Sequence, residues 1–219
     1  MAPPVKAPLG RRARKALETR RRVLVAAEEL FTQRGYAATT MNAIADEADV
    51  AVQTLYAAFG NKRALLTTLI NARVAGDDEA GPLRNRKDWQ AMERETDAER
   101  QIARFAAIAT RIGARSAAIN EVIAGAAGAD PEIASIHQQQ RQQRYRDERR
   151  IARSLARTGA LREGLSETQA ADIIWAIAHT GTYRALVTER RWTTEKYERW
   201  LKRLLTLELL AEPARPYGF

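Results

Sequence analysis

The residues with the clearest chemical meaning lie between positions 52 and 57 of the chain. Gln53 carries a side-chain amide that can make a paired hydrogen bond to the edge of an adenine, and Thr54 carries a hydroxyl. Val52 and Ala57 offer small apolar surfaces that can contact thymine methyl groups. Together these side chains suit the reading of base edges in a DNA major groove.

Two short helices are predicted to position these residues. The apolar residues of the first helix follow the spacing i, i+3, i+4 and i+7, and Thr40 precedes them as an N-cap. They are Met41, Ile44, Ala45 and Ala48. A second helix is predicted over residues 51–58 and is anchored by Leu55. Two helices joined by a tight turn make a helix-turn-helix motif, although a helical hairpin buried in a core gives the same pattern.

A longer pattern extends over residues 19–70. It consists of Leu30, Phe31, Gly35, Tyr36, Thr39, Thr40, Ile44, Ala45, Ala48, Val50, Thr54, Leu55, Tyr56, Phe59, Asn61, Lys62 and Leu65. In the order and spacing of these residues, the segment resembles the N-terminal domain of the tetracycline-repressor (TetR) family of transcriptional regulators.

Three residues depart from the pattern of the family, and they affect the expected base preference more than the expected fold. Asp49 replaces the usual Gly of the turn, and Asp tolerates the left-handed conformation better than most residues. Ala51 replaces the usual capping Ser, and Ala58 replaces a common aromatic residue or His.

This resemblance implies an all-α protein of about nine helices. An N-terminal three-helix DNA-binding domain is expected at residues 14–70, after a basic arm at residues 1–13. A C-terminal helical bundle at residues 71–219 is expected to bind a ligand and to dimerise through its last two helices. The implied function is that of a repressor that binds a palindromic operator as a homodimer and is released by a small-molecule effector. Its candidate DNA contacts include Thr40, Tyr56 and a phosphate contact from Lys62.

Charge is concentrated at the start of the chain. The formal net charge is +9, and residues 1–22 carry eight Lys or Arg against Glu18 alone. With several prolines before it, this stretch is expected to be a disordered arm whose Arg11, Arg12 and Arg14 contact DNA phosphates. The alternative is a leader that only improves solubility.

Composition argues against an enzyme and against a metal site. The chain has no cysteine, and His137 and His179 are its two histidines. Neither a Cys/His dyad nor a histidine-rich metal site can be built from this set, so no catalytic residue and no cofactor are expected. No apolar run approaches the ~20 residues that span a bilayer, and a cytoplasmic protein is expected.

Capping residues predict where the helices begin in the rest of the chain. A capping box at Thr96 and Glu99 predicts a helix start, with an interruption at residues 113–115 before a further helix. Asp130 and Pro131 predict a long helix that continues to Thr158. A second capping box opens a helix from residue 166 to about 186, and the last helix is predicted to start near residue 193.

A ligand site is the remaining candidate. Trp175, His179 and Tyr183 are spaced i, i+4 and i+8 on the predicted helix 166–186. They can line a cavity with Phe105, Ile108 and Ile112, or they can belong to the core or to a dimer interface.

A different class of function also fits the charge pattern. A basic architectural or RNA-binding protein can use the arm together with the polar run at residues 138–150, without any specific operator. A solvated long helix is the alternative interpretation of that run.

Overall fold

The computed structural model describes residues 10–76 and 83–211, and these residues are helical almost throughout. The all-α prediction is therefore confirmed. Packing divides the chain into two units, residues 1–72 and 73–219. A single 3₁₀ turn, Leu83–Asn85, precedes α5, and a π-helical turn, Arg184–Glu189, follows α9. The helices are α1 (Arg11–Ala38), α2 (Met41–Glu47), α3 (Val52–Phe59), α4 (Lys62–Ala75), α5 (Lys87–Glu93), α6 (Ala98–Ala127), α7 (Pro131–Arg157), α8 (Glu167–Ile177), α9 (Thr180–Tyr183) and α10 (Thr194–Leu209).

The first unit is a small helical domain around a continuous apolar core. Gly35 has a φ of 77°, so the regular part of α1 stops there, as the sequence predicts. The Thr39 hydroxyl donates to the carbonyl oxygens of Leu30 and Gly35, at 3.1 and 2.8 Å, and fixes the end of the helix. The core side chains come from all four helices. They include Leu24, Phe31, Ile44, Leu55, Leu65 and Leu69.

The second unit contains α6, the longest helix of the described residues, and all four tryptophans of the chain. Asp130 caps α7 by accepting from the backbone N–H groups of Glu132 and Ile133, as predicted. The segment after α7 pairs with the end of α10, where Leu161 and Leu210 form an isolated β-bridge. No helix within residues 10–76 and 83–211 is long and apolar enough to cross a membrane.

Helix α6 differs from the prediction in two respects. Its N-cap is Asp97, whose carboxylate accepts from the Arg100 N–H at 2.8 Å, and not Thr96. The predicted interruption at residues 113–115 is wrong, because α6 runs through it without a break. Gly113 lies against the Tyr183 ring, and a Cβ at position 113 would stand 2.6 Å from the Cγ atom of that ring. The glycine serves close packing and does not end a helix.

The predicted helix 166–186 is divided in the structure. Its capping box at Ser166 and Gln169 is confirmed, but α8 ends at Ile177. A new helix start follows, where the Nδ1 atom of His179 accepts from the Gly181 N–H at 2.9 Å. A side chain that caps the following turn offers the backbone an alternative to continuing the helix. The spacing i, i+4, i+8 therefore does not place Trp175, His179 and Tyr183 on one helical face.

Candidate nucleic-acid interface

The turn between α2 and α3 has the geometry of a compact helix-turn-helix. Asp49 adopts a φ of 51°, the left-handed conformation expected of it at this position. The next residue, Val50, donates its N–H to the Ala45 carbonyl at 3.0 Å. Ala51 precedes α3 and provides no side-chain cap, also as expected. The turn thus closes through the backbone alone.

Helix α3 buries one side and exposes the other. Leu55 and Phe59 are buried and hold the helix on the domain. Gln53 and Thr54 are exposed, Tyr56 is 50% exposed, and Val52 is half-buried. Gln53, Thr54 and Tyr56 are therefore accessible for base contacts, and they give the exposed face its amide, hydroxyl and phenol groups, whereas Val52 is only partly accessible.

Thr40 lies at the N-terminus of α2, and its hydroxyl makes one hydrogen bond as an acceptor. The Oγ1 atom accepts from the Ala43 N–H at 3.1 Å, which confirms the predicted N-cap. A threonine hydroxyl can accept and donate at the same time. Because the residue is exposed, its O–H remains available to an outside acceptor such as a phosphate oxygen.

Lys62 departs from its expected role as a phosphate contact. Its Nζ atom donates to the carbonyl oxygens of Tyr36 at 2.8 Å, Thr39 at 2.7 Å and Ala37 at 3.5 Å. It also lies 4.3 Å from the centre of the Tyr36 ring. An ammonium group has three N–H donors, and three carbonyls accept them here. Lys62 therefore stabilises the end of α1, and a phosphate contact would require breaking these bonds.

We expect Lys62→Met to destabilise the first unit by about 1–3 kcal/mol, because half-buried carbonyls lose their donors. Hydrogen–deuterium exchange of peptides from residues 23–69 measures the change. Lys15→Met removes the same charge from an exposed position and should shift protection by less than about 0.5 kcal/mol. Unchanged protection with uniformly weaker DNA binding would instead assign Lys62 to a phosphate.

The basic arm is partly helical. Residues 1–9 lie outside the described residues, but α1 already begins at Arg11. The expectation of disorder through residue 13 is therefore wrong for its last residues, since this stretch is rich in good helix formers. Arg11, Arg12 and Arg14 are exposed along the first turns of α1. A helix presents these guanidinium groups on a defined surface.

The candidate ligand residues of the second unit fall into two environments. Phe105, Ile108 and Tyr183 are buried in its core, and Ile112 packs against them. Tyr183 also stacks edge-on against Tyr197, with ring centres 5.0 Å apart.

Trp175 belongs to the other environment, on the α7 side of α8. The guanidinium carbons of Arg144 and Arg141 lie 4.3 and 5.4 Å from the centre of its ring. A surface cleft of about 400 Å³ is lined by this ring together with Arg141 and Tyr145. His179 is exposed at the start of α9 and is not part of the core. Trp175 and Tyr183 thus have different neighbours.

Arg144 and Glu148 form a buried ion pair that sequence reasoning missed. Arg144 donates to Glu148 at 2.8 Å and to the Trp175 carbonyl at 2.6 Å. Glu148 is only 4% exposed, and its Oε2 atom has no hydrogen-bond partner in the described part of the chain. A signal was present, because Glu148 shares an i, i+3, i+7 stripe with Ile151 and Leu155. The run at residues 138–150 is therefore not solvated on all sides.

Burial shifts the pKa values of Glu148, Arg144 and His179. Burial raises the pKa of Glu148 to about 7, against the opposing effect of Arg144. It also lowers the pKa of Arg144. Local desolvation lowers the pKa of His179, although the side chain is partly exposed, and the positive charges of Arg144 and Arg141 lower it further. The lowered pKa favours the neutral imidazole, which suits its role as a hydrogen-bond acceptor.

Within the described ranges, no cluster of three His, Asp or Glu residues is arranged to hold a metal ion. The profile of the family described as "Bacterial regulatory proteins, tetR family" matches residues 23–69. Residues 23–69 therefore form a DNA-binding domain of the TetR family. This domain assigns the protein to the DNA-binding transcriptional regulators, a class that is not enzymatic. No curated protein matches the chain.

Solved structures share the fold over most of the chain. SmeT in complex with triclosan superposes with a TM-score of 0.68 at 20% identity, covering 92% of this chain and 96% of SmeT. The MbdR regulator from Azoarcus gives 0.67 at 17% identity, covering 88% and 100%. FadR from Bacillus subtilis in complex with stearoyl-CoA gives 0.64 at 16% identity, covering 85% and 97%. At these identities the likeness concerns the fold alone.

The TetR match begins at Val23 and ends at Leu69, so it contains the turn at Asp49 and all of α3. The basic first turns of α1 precede the matched range. They are a feature of this chain that the TetR match does not describe.

Proposed function

We propose that the protein is a cytoplasmic repressor that binds a palindromic operator as a homodimer, with one recognition helix α3 in each half-site. The observation that carries the proposal is the division of α3 into a buried side, Leu55 and Phe59, and an exposed side around Gln53 and Thr54. Two such helices related by a twofold axis would read half-sites about one helical turn (~34 Å) or a multiple apart.

Selection of bound duplexes from a random library, followed by fluorescence anisotropy, tests this proposal. The wild-type protein should prefer its selected duplex over a shuffled one by ~10³ or more. Gln53→Ala should lower that preference by about 10- to 100-fold, because a paired amide contact contributes ~1–3 kcal/mol of discrimination. Gln33→Ala makes the same change on an exposed face of α1 and should leave the preference intact.

The same assay separates the operator hypothesis from an architectural or RNA-binding one. A protein without an operator would show no selectivity among duplexes, and that result would contradict the proposal. Arg14→Ala should weaken selected and shuffled duplexes alike and reduce the slope of log affinity against log salt by about one.

A second copy of the chain is proposed to pair with α10. One stripe of this helix is buried within the second unit and consists of Tyr197, Leu201, Leu205 and Leu209. A neighbouring stripe, Trp200, Leu204 and Leu207, remains partly or largely exposed, with Leu207 at 59%. Covering this stripe would remove apolar surface from water.

An effector is proposed to bind the second unit, since SmeT was solved with triclosan and FadR with stearoyl-CoA. Because the candidate residues lie in two environments, they define two alternative sites. One consists of Phe105, Ile108, Ile112 and Tyr183 in the core. The other is the surface cleft at Trp175, and His179 is exposed and belongs to neither. A compound that binds in the cleft should raise the calorimetric melting temperature of the wild type more than that of Trp175→Ala. Equal increases in both proteins would exclude Trp175 from the site.

A further inference from the structure

A second cleft lies within the first unit, between the N-terminal half of α1 and the recognition helix α3. Its volume is about 330 Å³, at the lower end of the range typical of small-molecule sites. The walls include Ala16 from α1, with Ala58 and Phe59 from α3. Both alanines end at Cβ, so the two helices leave an open space where longer side chains would meet.

The rim of this cleft is cationic. Arg12, Lys15 and Arg20 border it, and no Asp or Glu is among its lining residues. None of the three pairs with a carboxylate in the described ranges of the chain. Arg20 lies 5.0 Å from the centre of the Phe59 ring. An apolar floor with three unpaired cations at its edge complements a molecule that has an apolar tail and an anionic head.

We propose that this cleft binds an anionic amphiphile, such as an alkyl carboxylate. The tail would lie between Ala16 and Ala58, where it leaves water, and the carboxylate would accept charge-assisted hydrogen bonds from Arg12 and Lys15. The site is separate from the candidate ligand residues of the second unit. Because Arg12 is also a candidate DNA contact, bound amphiphile and DNA would exclude each other, and this consequence rests on the proposed function.

Octanoate is a suitable probe of binding in the absence of DNA. Alanine-methyl NMR of the full-length protein should show shifts at Ala16 and Ala58, with a Kd on the order of 1 mM for a ligand of this size. Ala58→Phe fills the cleft and should weaken binding at least tenfold. Ala57→Phe places the same ring on the neighbouring exposed position, outside the cleft lining, and should leave the Kd within twofold.

Substitution of a cationic residue at the rim tests whether octanoate binding depends on charge. Lys15→Glu should weaken octanoate binding at least threefold, whereas Arg34→Glu, on an exposed position away from the cleft, should not. Both positions are exposed, so neither change should unfold the domain. Octanol, which lacks the charge, should bind at least fivefold more weakly than octanoate. Equal binding of octanol would overturn the anionic assignment.

Two further outcomes would overturn the site itself. One is the absence of any NMR shift at Ala16 and Ala58 at octanoate concentrations well above the expected Kd. The other is an unchanged Kd in Ala58→Phe, which would place the ligand elsewhere in the chain. Since the titration contains no DNA, loss of operator selectivity in the duplex assay would refute the proposed function and leave the cleft unaffected.

Discussion

Leu207→Glu is expected to convert the proposed dimer into monomers at micromolar concentration. Leu207 is the most exposed of the large apolar side chains on α10. A twofold interface repeats every substitution, so one change would place two carboxylates in an apolar contact. Burying unpaired charge is costly, and we expect the dimer Kd to rise at least ~100-fold. Sedimentation velocity at several concentrations measures the shift.

Operator affinity should fall together with dimerisation, because two half-sites would then be bound independently. Lys202→Glu provides the matched control, since it introduces the same residue at an exposed position on another side of α10. It should remain dimeric. If Leu207→Glu also sediments as a dimer, the dimer interface does not include the stripe of Trp200, Leu204 and Leu207.

The stability of the second unit should decrease as pH rises from 5 to 8. Burial raises the pKa of Glu148 to about 7, above the ordinary value of 4.5 expected in the unfolded chain. The folded state therefore binds this proton more tightly than the unfolded state does. Protonation of Glu148 contributes its full stabilisation below pH 4.5, and this contribution is lost as the pH rises through 7. The loss amounts to at most about 3 kcal/mol. Urea unfolding followed by circular dichroism at each pH measures it.

Glu148→Gln isolates this contribution. Glutamine keeps an oxygen that can accept from Arg144 but has no proton to release in this range. Relative to the wild type, the variant should gain stability between pH 5 and 8 by about the amount that the wild type loses. Identical pH profiles for the two proteins would show that Glu148 is ionised throughout.

The first unit could be predicted from sequence because its main features follow local rules. Thr40 caps α2, Asp49 takes the left-handed turn and Gly35 ends the regular part of α1, each within a few residues of the signal. The exposed face of α3 follows from the positions of Leu55 and Phe59. These are interactions between near neighbours in the chain, where composition and spacing carry most of the information.

Contacts between distant residues were not predictable in the same way. Lys62 binds the Tyr36 carbonyl, which is 26 positions away, and no local pattern marks a lysine as a partner of carbonyl groups. Gly113 looked like a helix breaker, although its role is to admit the Tyr183 ring. The break before His179 has neither Pro nor Gly at the junction. It depends on a side-chain cap that competes with an otherwise favourable helix.

The distribution of the four tryptophans has a practical consequence. Because every indole lies beyond residue 73, intrinsic emission excited at long wavelength reports on the second unit and is silent about the first. A melting curve recorded in this way can remain flat while the DNA-reading domain unfolds. Noncoincident traces from emission and ellipticity would then reveal two separate transitions in a single sample.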